Sequence, residues 1–433
     1  MRCLKMGDAA YHKNRPDTLP APSGCPVDHA FSPFSDDYQA DPYAELEKRR
    51  NNSPIFYAED LGCLVLTRME DVEEVFKDPT IFSSENVQDP VIQICDAAFK
   101  VLEAEDFNPI PVMSNCQRPD HTRIRKHTQA GFSGRRMRVL EPYIRQRCET
   151  LVSAMLEGDA PAEFVSHVGY PLPGDTIFRL IGFPESDDRM LKEWTGNRLA
   201  FMWGKADEDE QVAIAENLLA YWRYCAEFVQ MRKDDPADDF TSELLAAHDA
   251  DPDDLSLQEI GSAVYGLSFA GHEIVTNFLS NSLILLLSDR PQREKICADP
   301  ARIENAAQEV LRHSSPQTGW RRVANADTEI AGIKIPAGTH IFLSLASANH
   351  DEAAFGDPRA FDIERENASN HISFGRGIHF CLGSRLAILE TNIALQTLTR
   401  EAPSLDLVAD QKFTYFPNIT LRGPEKLWLT WNA

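Results

Sequence analysis

Cys381 lies in Phe374-Gly375-Arg376-Gly377-Ile378-His379-Phe380-Cys381-Leu382-Gly383, a glycine-punctuated stretch that leads into apolar residues at helical spacing, Leu386, Leu389, Ile393 and Leu395. A thiolate stays ionised when backbone N–H donors and positive charge surround it, and glycines let the main chain come close enough to a sulfur to supply those donors. A position just before a helix adds the favourable end of the helix dipole. A lone cysteine is ordinarily a buried structural residue. These neighbours point instead to an anionic sulfur and hence to a metal ligand.

Three further groupings carry chemistry of their own. Ala270-Gly271-His272-Glu273-Ile274 sets a gap of small residues beside an acid within a long apolar run. Taken alone, such a glycine signals close packing, at a cost of about 1 kcal/mol against alanine in a helix. Glu309 and Arg312 stand three apart, so one helical face presents both, ready to pair with each other and with a third group. His121 and Arg125, four apart, also share a face and together offer two cations to a carboxylate. For both of these the plain alternative is a solvated or surface-paired charge.

The elements that must hold these residues are mostly helical. Short β-like runs at 54–57 and 63–67 flank the turn-forming Asp60-Leu61-Gly62, and helical periodicity then dominates to about residue 313, apart from an irregular stretch over 86–113 with Pro90, Pro109 and Pro111. Residues 257–287 read as one helix on the order of 45 Å long. A second strand-rich zone spans 328–344, with turns at Ala331-Gly332 and Ala337-Gly338, and a third lies near the C-terminus. Pro16, Pro20, Pro22, Pro26 and Pro33 make residues 1–41 an irregular arm, and no linker divides 42–433, which read as a single domain. The fold class expected is mostly α with small β-sheets, an α+β layout without internal repeats.

Composition sets the outer limits. A hydrophobic fraction of 43% is ample for a core enclosing an organic cofactor, and a net charge of −24 argues against nucleic acid and anionic membranes as partners. The nine cysteines are scattered with no Cys-x-x-Cys pair, which suggests neither a disulfide framework nor a zinc or iron–sulfur site and fits a reducing cytoplasm. The N-terminal region lacks the apolar stretch of a signal peptide or membrane anchor. One segment runs against the acidic whole: residues 118–138 hold seven Lys/Arg (Arg118, Arg123, Arg125, Lys126, Arg135, Arg136 and Arg138) against the single acid Asp120. It reads either as a solvated helix face or as a docking site for an acidic protein.

With these residues in place, the chain resembles the cytochromes P450. Phe374, Gly377, Cys381 and Gly383 meet the four fixed positions of that family's haem-ligand signature, Phe-x-x-Gly-x-x-x-Cys-x-Gly. The resemblance implies the P450 fold, with haem b between the long I helix and the Cys-bearing L helix, and Cys381 as the iron ligand. It implies that His379, Arg322 of the Trp320-Arg321-Arg322 run, and His121 with Arg125 lie at the haem propionates, and that Phe374, Gly375 and Gly383 shape the ligand loop. Arg322 is preferred to Arg321 because strand alternation lets only one of them face the haem. Glu309-x-x-Arg312 matches the structural motif that buttresses the cysteine loop. The third member of that motif usually comes from Pro-x-Arg-Phe, but here Pro358-Arg359-Ala360-Phe361 puts Ala360 at the arginine position and leaves Arg359 and Arg365 as substitutes.

The same resemblance implies a monooxygenase that inserts one oxygen atom of O2 into an apolar organic substrate, by hydroxylation or oxidative dealkylation. Ala270 and Gly271 match the family's oxygen gap and Glu273 its proton-delivering acid, but Ile274 stands where a threonine is usual. Thr276 is about 200° further round the helix and cannot simply replace that hydroxyl. Three explanations stay open: an ordered water or substrate hydroxyl supplies the hydrogen bond, the enzyme leaks peroxide, or peroxide is itself the oxidant. His272 turns away from Ala270 and is expected to pack or hydrogen-bond rather than ligate. By family position the substrate pocket draws on residues 87–113, 199–203, 317–320 and 416–419 and on the I helix, with Gly266, Phe269, Thr318, Trp320 and Ile419 among its lining. Since the chain ends soon after its last strand, electrons are expected from a separate ferredoxin or flavodoxin with its NAD(P)H reductase, docking near the basic 118–138 segment. A haem-binding sensor or carrier is the remote alternative.

Overall fold

The computed structural model describes residues 19–195 and 198–432. Strands β1 (Val27–Asp28), β2 (Ile55–Ala58), β3 (Cys63–Leu66), β4 (Gly319–Ala324) and β5 (His340–Ser344), with helices α1 (Met69–Lys77), α2 (Asp120–Thr128), α3 (Leu257–Ser288), α4 (Ile303–His313) and α5 (Ser384–Glu401), are the elements that position the candidate site. The chain falls into two units, one formed by Ser83–Ser133 and Ile177–Ala270, the other by Leu19–Phe82, Gly134–Thr176 and the described part of Gly271–Ala433. The backbone of α3 runs without a break through the boundary between Ala270 and Gly271.

In the first unit, helices pack through aromatic side chains. Tyr221 on the helix Glu208–Asp234 stacks on Tyr265 at 5.4 Å and meets Phe269 edge-on at 5.3 Å, both on α3. That long helix begins at a capping box, in which Asp207 and Glu210 satisfy each other's backbone N–H. The start of α3 is tied to α2 by Arg123, whose guanidinium meets the Glu259 carboxylate at 2.5 Å.

The second unit holds a mixed sheet. β1 runs parallel to β2, β2 antiparallel to β3, β3 parallel to β5, and β5 antiparallel to β4. The register sends Leu64, Leu66, Ile341 and Leu343 into one apolar cluster with Val72, Val75 and Phe76 of α1, which explains why these positions are apolar in every one of these elements. α5 buries Leu386 and Ile393 on one face, as the helical spacing predicts, and Leu395 on the opposite one, while Leu389 is only half-buried.

Two stretches read as irregular from the sequence contain regular elements. The stretch 19–41, expected to be irregular, contains β1 and a helix, Asp36–Ala40, capped by the Ser35 hydroxyl. Prolines break local periodicity, but β1 is made by pairing with β2, which no local pattern reveals; residues 1–18 of the expected arm lie outside the described residues. The stretch 86–113 is likewise interrupted by the helix Asp96–Leu102, whose first turn is capped by the Cys95 sulfur accepting from the Ala98 N–H. Among the described residues no helix is long and apolar enough to cross a membrane.

Candidate active site

The cysteine loop is a tight fold held by its own backbone. The Cys381 N–H donates to the Phe374 carbonyl at 2.9 Å, and the Gly375 N–H donates to the Ile372 carbonyl at 2.8 Å. Gly375 and Gly377 both have φ of 69°, a conformation strained for any residue with a side chain. At Gly377 there is also no room, since a Cβ there would sit 2.6 Å from the Phe76 carbonyl oxygen. α5 begins just beyond, at Ser384, with no side-chain cap, so Cys381 sits a few residues before an uncapped helix start.

A buried ionic cluster supports this loop. The side chains of Glu309 and Arg312 on α4 are both 0% exposed and pair through two contacts of 2.7 Å. Arg365 is the third member: its Nε meets Glu309 Oε1 at 3.1 Å, whereas Arg359 pairs with Asp41 at 3.4 Å on the surface. Arg365 therefore takes the place of an arginine at position 360, while the Ala360 carbonyl accepts from both Arg312 and Arg365. The path from this cluster to the loop runs through Asn349. Arg312 donates to the Asn349 carbonyl at 3.1 Å, the Asn349 side chain accepts from the Ile372 N–H and donates to Ser373 Oγ, and Ser373 Oγ donates in turn to the Leu311 carbonyl at 2.6 Å. Asn349 and Ser373 carry no local signature, so sequence reasoning did not single them out.

Along α3 one face stays partly open while the rest is packed. Gly266, Ala270, Glu273, Ile274 and Asn277 recur three or four apart and keep accessible surface, while their neighbours His272, Val275, Thr276 and Phe278 are buried. A Cβ built on Gly266 would meet nothing within 4 Å. Glu273 is crowded by protein although part of its surface is open, and this burial pushes its carboxyl up to about 8, so it is protonated at neutral pH. Ile274 adds an apolar side chain on the same face. The Thr276 hydroxyl is already committed, donating to the His272 carbonyl at 3.1 Å. His272, 0% exposed, donates from Nε2 to the Tyr170 carbonyl at 2.9 Å and packs on the Tyr170 ring, the packing and hydrogen-bonding role expected of it.

Cations expected at the haem propionates occupy both units. In the second unit Arg322 is 2% exposed, and burial pushes its guanidinium down to about 9; Arg321 beside it is only half-buried, so the strand does present the two differently. The Arg322 guanidinium lies 5.2 Å from the centre of the Phe76 ring and donates to the Arg321 carbonyl at 2.7 Å. His379, in the same unit, is half-buried in the ligand loop. In the first unit His121 and Arg125 do fall on one helix, α2, but the expectation of two cations needs correction. Burial, reinforced by Arg125 and Arg118, pushes the His121 imidazole down to about 4, so at neutral pH it is an uncharged hydrogen-bonding ring beside one guanidinium. A carboxylate bound there would raise it again.

The remaining pocket assignments divide. Gly266 is open, whereas Phe269, expected to line the substrate space, is 1% exposed inside the Tyr221–Tyr265 aromatic cluster, because its place on α3 turns it toward the helix Glu208–Asp234. Ile419 is also buried, and the Thr318 hydroxyl donates to its carbonyl at 3.3 Å, so Thr318 holds the 416–419 loop rather than presenting a free hydroxyl. Trp320 is half-buried on β4. In the basic 118–138 segment, Arg123 is spent on Asp120 and Glu259, and Lys126 lies 3.7 Å from Asp254.

The donor set suits a haem. An open face on an otherwise packed helix, a cysteine in a glycine-built loop before a helix start, and a buried guanidinium destabilised by its burial are the parts that a flat anionic macrocycle with a thiolate-ligated iron requires. The comparisons agree. Residues 198–401 match the family model described as Cytochrome P450. The chain is 36% identical over 315 residues to the biotin biosynthesis cytochrome P450 of Bacillus subtilis (strain 168), covering 72% of this chain and 78% of that protein. It is 32% identical to the vitamin D(3) 25-hydroxylase of Pseudonocardia autotrophica, over 92% of this chain and 95% of that protein. Among solved structures, cytochrome P450 CREJ in complex with (4-ethylphenyl) dihydrogen phosphate superposes with a TM-score of 0.90 at 38% identity, covering 93% of this chain and 100% of that one.

Proposed function

The chain belongs to the cytochrome P450 family, and from that premise we propose that this haem-thiolate monooxygenase acts on an apolar organic substrate, by hydroxylation or oxidative dealkylation, with electrons from a separate ferredoxin or flavodoxin and its NAD(P)H reductase. The observation that carries the reading is the open face of α3, where apolar Ile274 and the small residues Gly266 and Ala270 flank a single protonated acid, Glu273.

Haem b, when bound, would supply O2 activation, and a thiolate ligand would lend its iron electron density that favours O–O cleavage. Cys381 would provide that thiolate from its glycine-built loop. Arg322 and His379 would hold a propionate through charge-assisted hydrogen bonds, and the family pattern gives His121 and Arg125 the same part. Glu273 keeps a proton on its carboxyl at neutral pH. Ile274 has no O–H and the Thr276 hydroxyl is bonded within the helix, so an ordered water or a substrate hydroxyl relays the proton from Glu273. Ile274 also adds apolar surface to the face that would meet the substrate.

Two relatives' names support the substrate class: one is a vitamin D(3) 25-hydroxylase, and one was solved with an ethylphenyl phosphate. Each of those molecules carries an apolar hydrocarbon part, in the second joined to a charged phosphate, and the apolar part is the feature assigned here to the substrate. The protein works in the cytoplasm, with residues 42–433 acting as one haem domain.

The test is a ferrous–CO spectrum followed by a panel of aromatic, terpenoid, fatty and polar compounds. A thiolate-type CO band, spin shifts with apolar members and NAD(P)H-dependent product are expected; spin shifts confined to polar members, or turnover only with peroxide, would overturn the reading. Cys381→His is expected to bind haem yet lose oxygenation, and turnover retained in that variant would remove Cys381 as the ligand.

A further inference from the structure

Phe76, on the last turn of α1, touches two parts of the haem site at once. Its ring lies under the buried Arg322 guanidinium, 5.2 Å from centroid to carbon. Its carbonyl oxygen fills the hollow left by Gly377, where a Cβ would come within 2.6 Å, and its ring edge lies 3.8 Å from the place a Cβ would take on Gly375. One turn earlier on the same helix, Glu73 meets Arg376 of the loop at 3.6 Å, a half-exposed pair of modest weight. Phe76 is itself 5% exposed and packed with Val72, Val75, Leu64 and Ile341, so α1 offers it as a fixed point.

We infer that Phe76 is a positioning residue for the thiolate site, holding the cysteine loop and the propionate-side arginine in register with each other. A guanidinium taken out of water regains part of its lost solvation from an aromatic face, an interaction that strengthens as water is excluded. At Arg322 burial pushes the guanidinium down, so the ring beneath it supports the charge where it is most strained. The same residue's carbonyl seats Gly377, four residues before Cys381 in the same loop. If the ring is removed, Arg322 can move off β4, and the backbone that Gly377 rests on loses its anchor. The ring, not merely its volume, is what does this. The inference rests on the assignment of Cys381 and Arg322 to haem binding made above.

The experiment compares holoenzyme variants Phe76→Leu, which keeps apolar volume without a π face, and Phe76→Tyr, which keeps the ring. The readouts are the rate of haem transfer to excess apomyoglobin and the fraction of the ferrous–CO complex with a thiolate-type band. Helical melting by circular dichroism is followed in parallel. Phe76→Leu is expected to lose haem about tenfold faster and to show a smaller thiolate-type fraction, Phe76→Tyr to match wild type, and both to melt alike. If Phe76→Leu fails to fold, Phe76→Met makes the same comparison with a more adaptable side chain. A ring-less variant indistinguishable from wild type in both readouts, or Phe76→Tyr as impaired as Phe76→Leu, would overturn the inference. A wild-type holoenzyme without a thiolate-type CO band would instead sink the underlying assignment, and it is recorded before any variant.

Discussion

At the scale of single residues, the chemistry turns on two groups whose charge state the fold sets. Glu273 is a carboxylic acid at neutral pH because burial pushes it up to about 8. Raised in this way, it carries its proton below that pH and loses it above. Turnover and product formed per NAD(P)H consumed are therefore expected to fall as the pH rises through about 8. Glu273→Gln should remove that alkaline limb and lower turnover by about a hundredfold or more, the usual contribution of a positioned acid; a rate profile with the limb intact in the variant would assign it to another group. Asp71 is the second case. Burial, with a smaller push from Glu70, raises its carboxyl to about 6, and among the described residues its Oδ2 finds no hydrogen-bond partner. An acid raised in the folded state binds its proton more tightly there than in the unfolded chain, so folding loses stability as the pH climbs from about 4 to about 6 and the penalty is complete above that. Asp71→Asn is expected to stabilise the protein at pH 7 by roughly 1–3 kcal/mol, with the gain vanishing near pH 4. A denaturant melt at the two pH values decides it.

At the scale of elements, α4 and the loop that precedes Cys381 act as one piece. Arg312 and Arg365 both close on Glu309, and Asn349 passes that order to Ile372 and Ser373. Loss of Arg365 leaves Glu309 with Arg312 but removes a charge-assisted bond and several donations to carbonyls, so Arg365→Ala is expected to cost about 1.5–3 kcal/mol and to speed haem loss. Arg359→Ala removes only an exposed contact to Asp41 and should change stability by no more than about 0.5 kcal/mol. Equal effects in the two variants, measured by thermal melting of the holoenzyme, would return the third place in the cluster to Arg359.

At the scale of the whole molecule, a net charge of −24 would repel an acidic electron donor unless a local patch reversed the sign. Within the 118–138 segment Arg123 and Lys126 are drawn into pairs with acids of their own unit. Arg135 and Arg138 are exposed, with no ion pair among the described residues, and beside them stands Val139, 58% exposed. Replacing both arginines with glutamine is expected to slow reduction by an acidic ferredoxin and flatten its dependence on salt. Replacing Lys126 should do much less. Stopped-flow reduction at several ionic strengths separates the two, and an unchanged salt slope in the double variant would place the docking surface elsewhere.

What the sequence determined by itself was whatever the chain spells out locally. The thiolate loop is legible because glycines, an aromatic residue and a cysteine follow one another within ten positions, and the long helix because apolar spacing repeats over its whole length. Glu273 beside Ile274, and Glu309 three from Arg312, are equally local patterns. Tertiary structure decided what depends on residues far apart in the chain meeting. It chose Arg365 over Arg359, brought Phe76 under Arg322 and against Gly377, and routed the support of the loop through Asn349. It turned Phe269 into the aromatic core although its place on the helix is plain in the sequence. It also set the protonation of His121 and Glu273, because a pKa depends on the solvent that packing excludes rather than on the order of neighbouring residues.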